Sequence, residues 1–359
     1  MTLRFSILLS SILVFSLLQI GCEDDPPIPP IIEQPKAKRN FKWTIDTLEY
    51  PGSYQTMMTV LWGTSSKSLF AAGHNERGYG MMYRYDGFKW SPVDLTSLER
   101  SGGFAFSSMF GFSSSDIFAV GSEAYSTTLP PFVIFDSSLV LHYNGTSWKK
   151  INIPNRKRSL SDIHGTSPSN IVVGGYKGTM FRFNGVEWKR LIIPDSLSVV
   201  SVHCINDSLT YVGLFSNTIE GGEWWYFGYH NGQKLTILNT ANLSIDPITF
   251  GLNLKSIDGR IYSIGSYLFE YINESWSLVK STSELSITNM AGTSRNNLFL
   301  VGGYDLVMHY NGEDWYEYPK FFPPSNRVIY SDVWTDSNEV FIIGIAYGEK
   351  QRTVVLHGK

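Results

Sequence analysis

One short phrase, an aromatic residue followed by Asn-Gly-x-x-Trp, returns along most of this 359-residue chain and limits what it can fold into. It reads Tyr85-Asp86-Gly87…Trp90, Tyr143-Asn144-Gly145…Trp148, Phe183-Asn184-Gly185…Trp188 and Tyr310-Asn311-Gly312…Trp315. Weaker copies stand at Tyr229-His230-Asn231-Gly232 and Tyr271-Ile272-Asn273…Trp276. A unit that repeats every 40–50 residues or so builds a propeller or a solenoid, in which small cores stack side by side.

Four strands can be read within the third copy. Leu160-Ser161-Asp162-Ile163-His164-Gly165 is a first strand, and Thr166-Ser167-Pro168-Ser169-Asn170 is rich in turn formers. Ile171-Val172-Val173-Gly174 is a β-branched second strand, and Thr179-Met180-Phe181-Arg182-Phe183 alternates as a third. Asn184-Gly185 then predicts a two-residue type I′ hairpin, since both central positions of that turn need φ > 0. The fourth strand runs from Glu187 to Ile192 and stops at Pro194. Four antiparallel strands without an intervening helix make a propeller blade.

Six copies run from Thr59 to about Pro319. A seventh begins at Ser331-Asp332-Val333-Trp334 and breaks off at Val354-Val355-Leu356-His357-Gly358-Lys359, before its tryptophan strand. That strand stands at the other end, as Phe41-Lys42-Trp43-Thr44-Ile45. The expected fold is therefore an all-β, seven-bladed β-propeller of four-stranded antiparallel blades, the last blade closed by the N-terminal strand. An open solenoid would give the two ends no reason to be complementary. Closure covers strand edges, so the domain is expected to be a monomer.

Residues 1–21 read as a signal peptide: Arg4 precedes an apolar run over 5–18 that is too short to span a bilayer comfortably. Leu18-Gln19-Ile20-Gly21-Cys22 resembles the lipobox of bacterial lipoproteins, although Leu18 lies one place early and Gln19 takes the usual leucine position. The resemblance implies a lipid on Cys22, hence a membrane anchor. Residues 22–40 read as a tether: Glu23-Asp24-Asp25, then Pro26-Pro27-Ile28-Pro29-Pro30. Acidic residues in this place resemble the signals that send some lipoproteins to the cell surface. An exported lipoprotein at the outer membrane or surface of a Gram-negative bacterium is the expectation, with residues 41–359 as the propeller.

A net charge of −3 with 17% charged residues leaves no basic footprint for nucleic acid. With Cys22 lipidated, Cys204 has no cysteine to pair with, and its apolar surroundings mark it as buried. Phrases of the type Trp62-Gly63-Thr64-Ser65, Ile117-Phe118-Ala119-Val120-Gly121 and His309-Tyr310-Asn311-Gly312…Trp315 resemble a large group of bacterial secreted and lipoprotein β-propellers. Some of its members carry a glucosyltransferase label. More distantly the chain is similar to the propellers of photosystem assembly factors and of sialidases. The Ser-x-Asp-x-Gly-x-x-Trp box of sialidases is not present, and no sialidase arginine triad can be assigned.

Little chemistry survives removal of the repeat. His142, His309 and His357 share one third-strand slot, and His164 and His203 share a first-turn slot; recurrence by register marks structural residues. No metal-binding, phosphate-binding or nucleophile motif is found, so neither a cofactor nor a catalytic residue is assigned. Asp116, Asp162 and Asp332 sit at related turn positions and are the acidic set a carbohydrate-active enzyme could assemble at the central channel. The repeat leaves two insertions unexplained. One, over 122–138, contains Tyr125 and Phe132; the other, over 215–227, contains Trp224, Trp225 and Tyr226. Long loops carry binding residues, and these aromatics are the candidates for a protein or glycan partner in the cell envelope. The leading expectation is a non-catalytic interaction module. A carbohydrate-active enzyme and an assembly factor for an envelope complex are the alternatives.

Overall fold

The computed structural model describes residues 36–359 apart from 78–79, 100–101, 127–133, 155–157, 219–221, 243–252, 266 and 283–286. Residues 36–359 form a compact unit, and every regular element among the described residues is a β-strand. The strands make seven four-stranded antiparallel sheets, spanning residues 57–92, 103–150, 160–190, 198–242, 253–281, 287–317 and 327–358. The seventh takes its outermost strand, Trp43–Leu48, from the N-terminus, with Trp43 opposite Gly358 and Leu48 opposite Thr353. The first strands of successive blades adjoin one another around the full circle, and that of the seventh packs against that of the first. The ring is closed.

Packing between blades follows from the alternation of strand side chains. Leu139 and Leu141 of the second blade meet Phe70 and Ala72 of the first, whereas Val120 and Val140 meet Ile163 and Ile171 of the third. At the closing seam Phe341, Ile343 and Val355 pack on Leu69, Tyr83 and Tyr85, and Phe41 and Trp43 cover Phe299 and Tyr318. Where a hairpin carries the recurring aromatic–tryptophan pair, the two residues sit directly opposite one another: Tyr143 faces Trp148 and Phe183 faces Trp188, with ring centroids 5.2 Å apart in both.

A second regularity is a β-bulge in the first strand of every blade but the fifth, at Met58/Val60, Phe106/Ser108, Leu160/Asp162, Val199/Ser201, Ile287/Asn289 and Tyr330/Asp332. The bulge pushes a carbonyl onto the repeated glycine of the second strand. A Cβ at Gly73 would stand 1.8 Å from the Met57 oxygen, and one at Gly121 1.9 Å from that of Ala105. The glycine of the repeated Ala-x-Gly and Val-Gly phrases is therefore steric in origin. Residues 36–40, assigned from the sequence to the tether, lie along the sixth blade: the Ala37 N–H donates to the Asn311 carbonyl at 3.1 Å.

Candidate interaction site

Antiparallel order gives the ring two unlike faces. Strand 1–2 turns and strand 3–4 hairpins leave on one, the hairpin face. Strand 2–3 connections and the links between blades leave on the other, the open face.

Five hairpins of the hairpin face share one design, and the fifth blade's differs, with Asn273 and Glu274 at φ +49° and +60° between the paired Ile272 and Ser275. Asn184 Oδ1 accepts the Val186 and Glu187 N–H groups at 3.0 and 2.9 Å, and Asp86, Asn144, Asn231 and Asn311 do the same in their own turns. Only the glycine has left-handed φ, +89° at Gly185, while Asn184 does not. The expected type I′ turn is thus corrected. At Asn184, and at its counterparts Asp86, Asn144, Asn231 and Asn311, the side chain is an acceptor that caps a wider loop, and only in the fifth blade does the repeat's asparagine, Asn273, adopt positive φ.

The open face is uneven. Past the repeated glycine, the second and third strands of the second blade continue for five more pairs, from Ser122–Ser138 to Ser126–Ile134. Those of the fourth blade also continue for five, from Leu214–Tyr226 to Thr218–Gly222. In the third blade, between them, the ladder ends at Gly174–Met180. At about 3.3 Å per residue the two extensions rise roughly 16 Å above the third blade. They form two walls of a cleft one blade wide, with Tyr176, half exposed, and Lys177, its ammonium 5.4 Å from the Tyr176 ring, at the floor.

Both insertions singled out from the sequence are these walls. Tyr226 packs with Val212 and Leu214 on the third-blade side, so Trp224, two residues away, lies on that same side above it. Trp225 lies on the opposite side, its ring 4.6 Å from that of Phe215 and in line with Phe227, which packs on Leu254 of the fifth blade. All three aromatics are half-buried. Trp224 and Trp225 therefore cannot form one coplanar platform. Tyr125 lies opposite Phe135 near the top of the other wall, whereas Phe132, Cys22 and the tether to Pro35 lie outside the described residues. From that wall Ser122, Ala124 and the exposed Asp136 stand on the third-blade side.

The central channel holds a cavity of about 430 Å³ lined by all seven first strands, Asp162 and Asp332 among them. Neither is a turn residue, which corrects the sequence reading: both follow the first-strand bulge, one slot in two blades. Asp162 accepts the Ser108 and Ser201 hydroxyls at 2.7 and 3.1 Å and the Ile163 and Val202 N–H groups at 2.9 Å each. Asp332 accepts the Leu61 and Val333 N–H groups at 2.7 and 2.9 Å and the Asn289 amide at 2.7 Å. Leu254 N–H to Ser201 and Asn253 to Asn289 continue this belt across further seams. Burial raises both carboxyl pKa values, that of Asp332 to about 6. Their oxygens are committed to locking one blade to the next. Asp116 belongs elsewhere, bonded to His142 at 2.7 Å.

The histidines follow the register reading. His142, His309 and His357 stack on Phe118, Phe299 and Phe341, with ring centroids 4.4, 4.1 and 3.8 Å apart. His164 and His203 lie 4.2 Å apart beside the channel, and burial pulls them down to about 3 and about 4. Burial lifts the Cys204 thiol to about 11, so it is inert. Among the described residues no cluster of three metal-ligating side chains occurs.

No protein-family model matches the chain, and no curated protein matches it. Solved structures match it in fold. YCF48 bound to D1 peptide superposes with a TM-score of 0.60 at 16% identity, over 90% of this chain and 98% of that one. YCF48 from Cyanidioschyzon merolae gives 0.56 at 16% over 87% and 98%, and the WD40 β-propeller domain of Doa1 0.55 at 8% over 88% and 97%. At these identities the likeness is one of fold.

Proposed function

We propose that the chain is a non-catalytic propeller of the bacterial cell envelope, anchored by a lipid on Cys22, that binds a protein partner in the cleft over the third blade. Residues 1–21 are its signal peptide and 22–35 the greater part of its tether. The observation that carries the reading is the pair of five-pair strand extensions flanking a blade that has none. Trp224 is partly buried on the third-blade side of its wall, and a partner inserted between the walls would cover the part that remains accessible. Facing β-sheets pack about 10 Å apart, so the gap left by one absent layer suits one strand or helix of a protein. YCF48, which shares the fold, has been solved with D1 peptide bound, which accords with a peptide-sized partner.

The rival readings have less to stand on. A glycan platform would want coplanar aromatics, and Trp224 and Trp225 lie on opposite sides of their strand. A glycosidase would want free carboxylates, and those of Asp162 and Asp332 are spent on backbone N–H groups and side-chain donors. The test is capture from solubilised envelopes by the propeller, residues 36–359, beside the Trp224→Ala variant and the control Phe88→Ala on the hairpin face. A defined protein held by the first and third and lost by the second supports the reading. Equal capture by all three contradicts it.

A further inference from the structure

The central channel holds a set of nitrogen groups that the belt of Asp162 and Asp332 does not use. Two residues beyond the belt slot, on the same side of their first strands, stand His164, His203 and Lys255 of the third, fourth and fifth blades. Trp62 and Phe110 take that slot on the first and second blades. All five line the cavity of about 430 Å³. His203 is 7% exposed, and among the described residues neither of its ring nitrogens has a hydrogen-bond partner. His164 Nδ1 accepts the Cys204 N–H at 3.1 Å, so the neutral ring carries its proton on Nε2, and that donor also lacks a partner among the described residues. The Lys255 ammonium makes no hydrogen bond or ion pair with a described residue, although two carboxylates share its channel. Those carboxylates turn into the wall, where Asp162 meets four donors and Asp332 three. Burial moves the pKa values of Asp162, Asp332, His164 and His203 most, and the Lys255 charge lowers all four, which places its ammonium near each of them. Buried donors are normally paired, so three unpaired ones around one cavity point to an acceptor that comes from outside.

We propose that this part of the channel binds a small monocarboxylate with an apolar body. The carboxylate accepts from Lys255 Nζ, His164 Nε2 and a ring nitrogen of His203, and the apolar body lies against Trp62 and Phe110. The charge count selects a monoanion. Both histidines are neutral at pH 7, since burial pulls them to about 3 and about 4, so Lys255 is the cation that the set supplies. A phosphate carries more than one negative charge near that pH, and the excess has nothing to balance it beside two buried carboxyls. The cavity, at about 430 Å³, falls among pockets for small ligands, which run from about 300 to about 1,000 Å³. This site is separate from the cleft over the third blade and stands or falls without it.

The experiment is calorimetric titration of the full chain, purified in a non-ionic detergent at pH 7. The probes are benzoate, benzamide, which has the same shape and no charge, and inorganic phosphate. Benzoate is expected to bind about tenfold or more tighter than either. Lys255→Met should weaken benzoate by about tenfold or more and leave benzamide unchanged. His203→Phe keeps the ring and removes its donors, and should weaken benzoate by about threefold or more. Circular dichroism melting checks that each variant folds, and should one not fold, the other decides. Benzamide or phosphate bound as tightly as benzoate overturns the proposal. So does wild-type affinity for benzoate in a folded variant, or no binding of benzoate up to about 10 mM.

Discussion

The hairpin face and the open face are built from the same strands, yet one repeats and the other does not. On the hairpin face five turns use one capping device, an Asn or Asp side chain taking two N–H groups beside a left-handed glycine. On the open face the second and fourth blades extend by five pairs while the third and sixth stop at the repeated glycine and the fifth just before it. A device used many times answers a need that every blade has, which is to fold. An elaboration used twice, on either side of one plain blade, answers a need of the surface. The two regions should therefore respond differently to substitution.

The largest effect should come from the belt beneath both faces. Asp332→Ala leaves two buried N–H groups and the Asn289 amide without their acceptor, and should cost about 4 kcal/mol in denaturant unfolding. Asp332→Asn keeps one acceptor oxygen and sheds the buried charge, and should lose less. On the repeating side, Trp188→Ala removes a buried ring facing Phe183 and should cost about 3 kcal/mol. If either change left the melting temperature unaltered, the repeated residues would not be the scaffold.

Acid should weaken the scaffold through the same residues. Burial holds His203 and His309 at about 4, below the ordinary 6.5. As pH falls below 6.5 the unfolded chain takes up these protons first, so the stabilisation, complete above 6.5, is lost on the way to pH 4. By pH 5 each contributes a loss of about 2 kcal/mol. Asp332 works in the opposite sense: with its pKa raised to about 6, its ionisation costs stability as pH rises from 3.8 to 6. The several buried histidines outweigh it. Calorimetry should show the melting temperature falling from pH 7 to pH 5, and a flat or rising profile would contradict the assignment.

Smaller effects sharpen the contrast. Gly185→Ala forces an L side chain to φ +89° with its Cβ 2.9 Å from that of Ser169, and should cost about 1–2 kcal/mol. Trp224→Ala, on a half-exposed wall, should cost about 1 kcal/mol or less in stability while abolishing partner capture. A variant that unfolds the domain would place Trp224 in the scaffold and remove it from the cleft.

The sequence carried the architecture because Tyr143 and Trp148, or Phe183 and Trp188, are cross-strand partners at fixed spacing. A local hairpin writes its own signal. The closing strand was legible for the same reason: the tryptophan strand lacking after the phrase Val354 to Lys359 reappears at Trp43. What was not legible depends on geometry between blades. Asp162 and Asp332 look like turn residues in a linear reading, because nothing local reveals the bulge that aims each carboxylate at the next blade. The second-strand glycines, whose Cβ would strike a bulged carbonyl, were the available clue. Likewise the two insertions could be found but not their relation, since only ladders of equal length on the second and fourth blades show that they wall one cleft.

The central claim is that the cleft over the third blade is where a protein partner sits, and photocrosslinking in intact cells tests it most directly. A photoreactive residue at Ser122 or Trp224, on the facing walls, should trap one and the same protein. The same residue at Phe88 or Val186 on the hairpin face should trap none. A product formed equally from both faces, or from the hairpin face alone, would contradict the account.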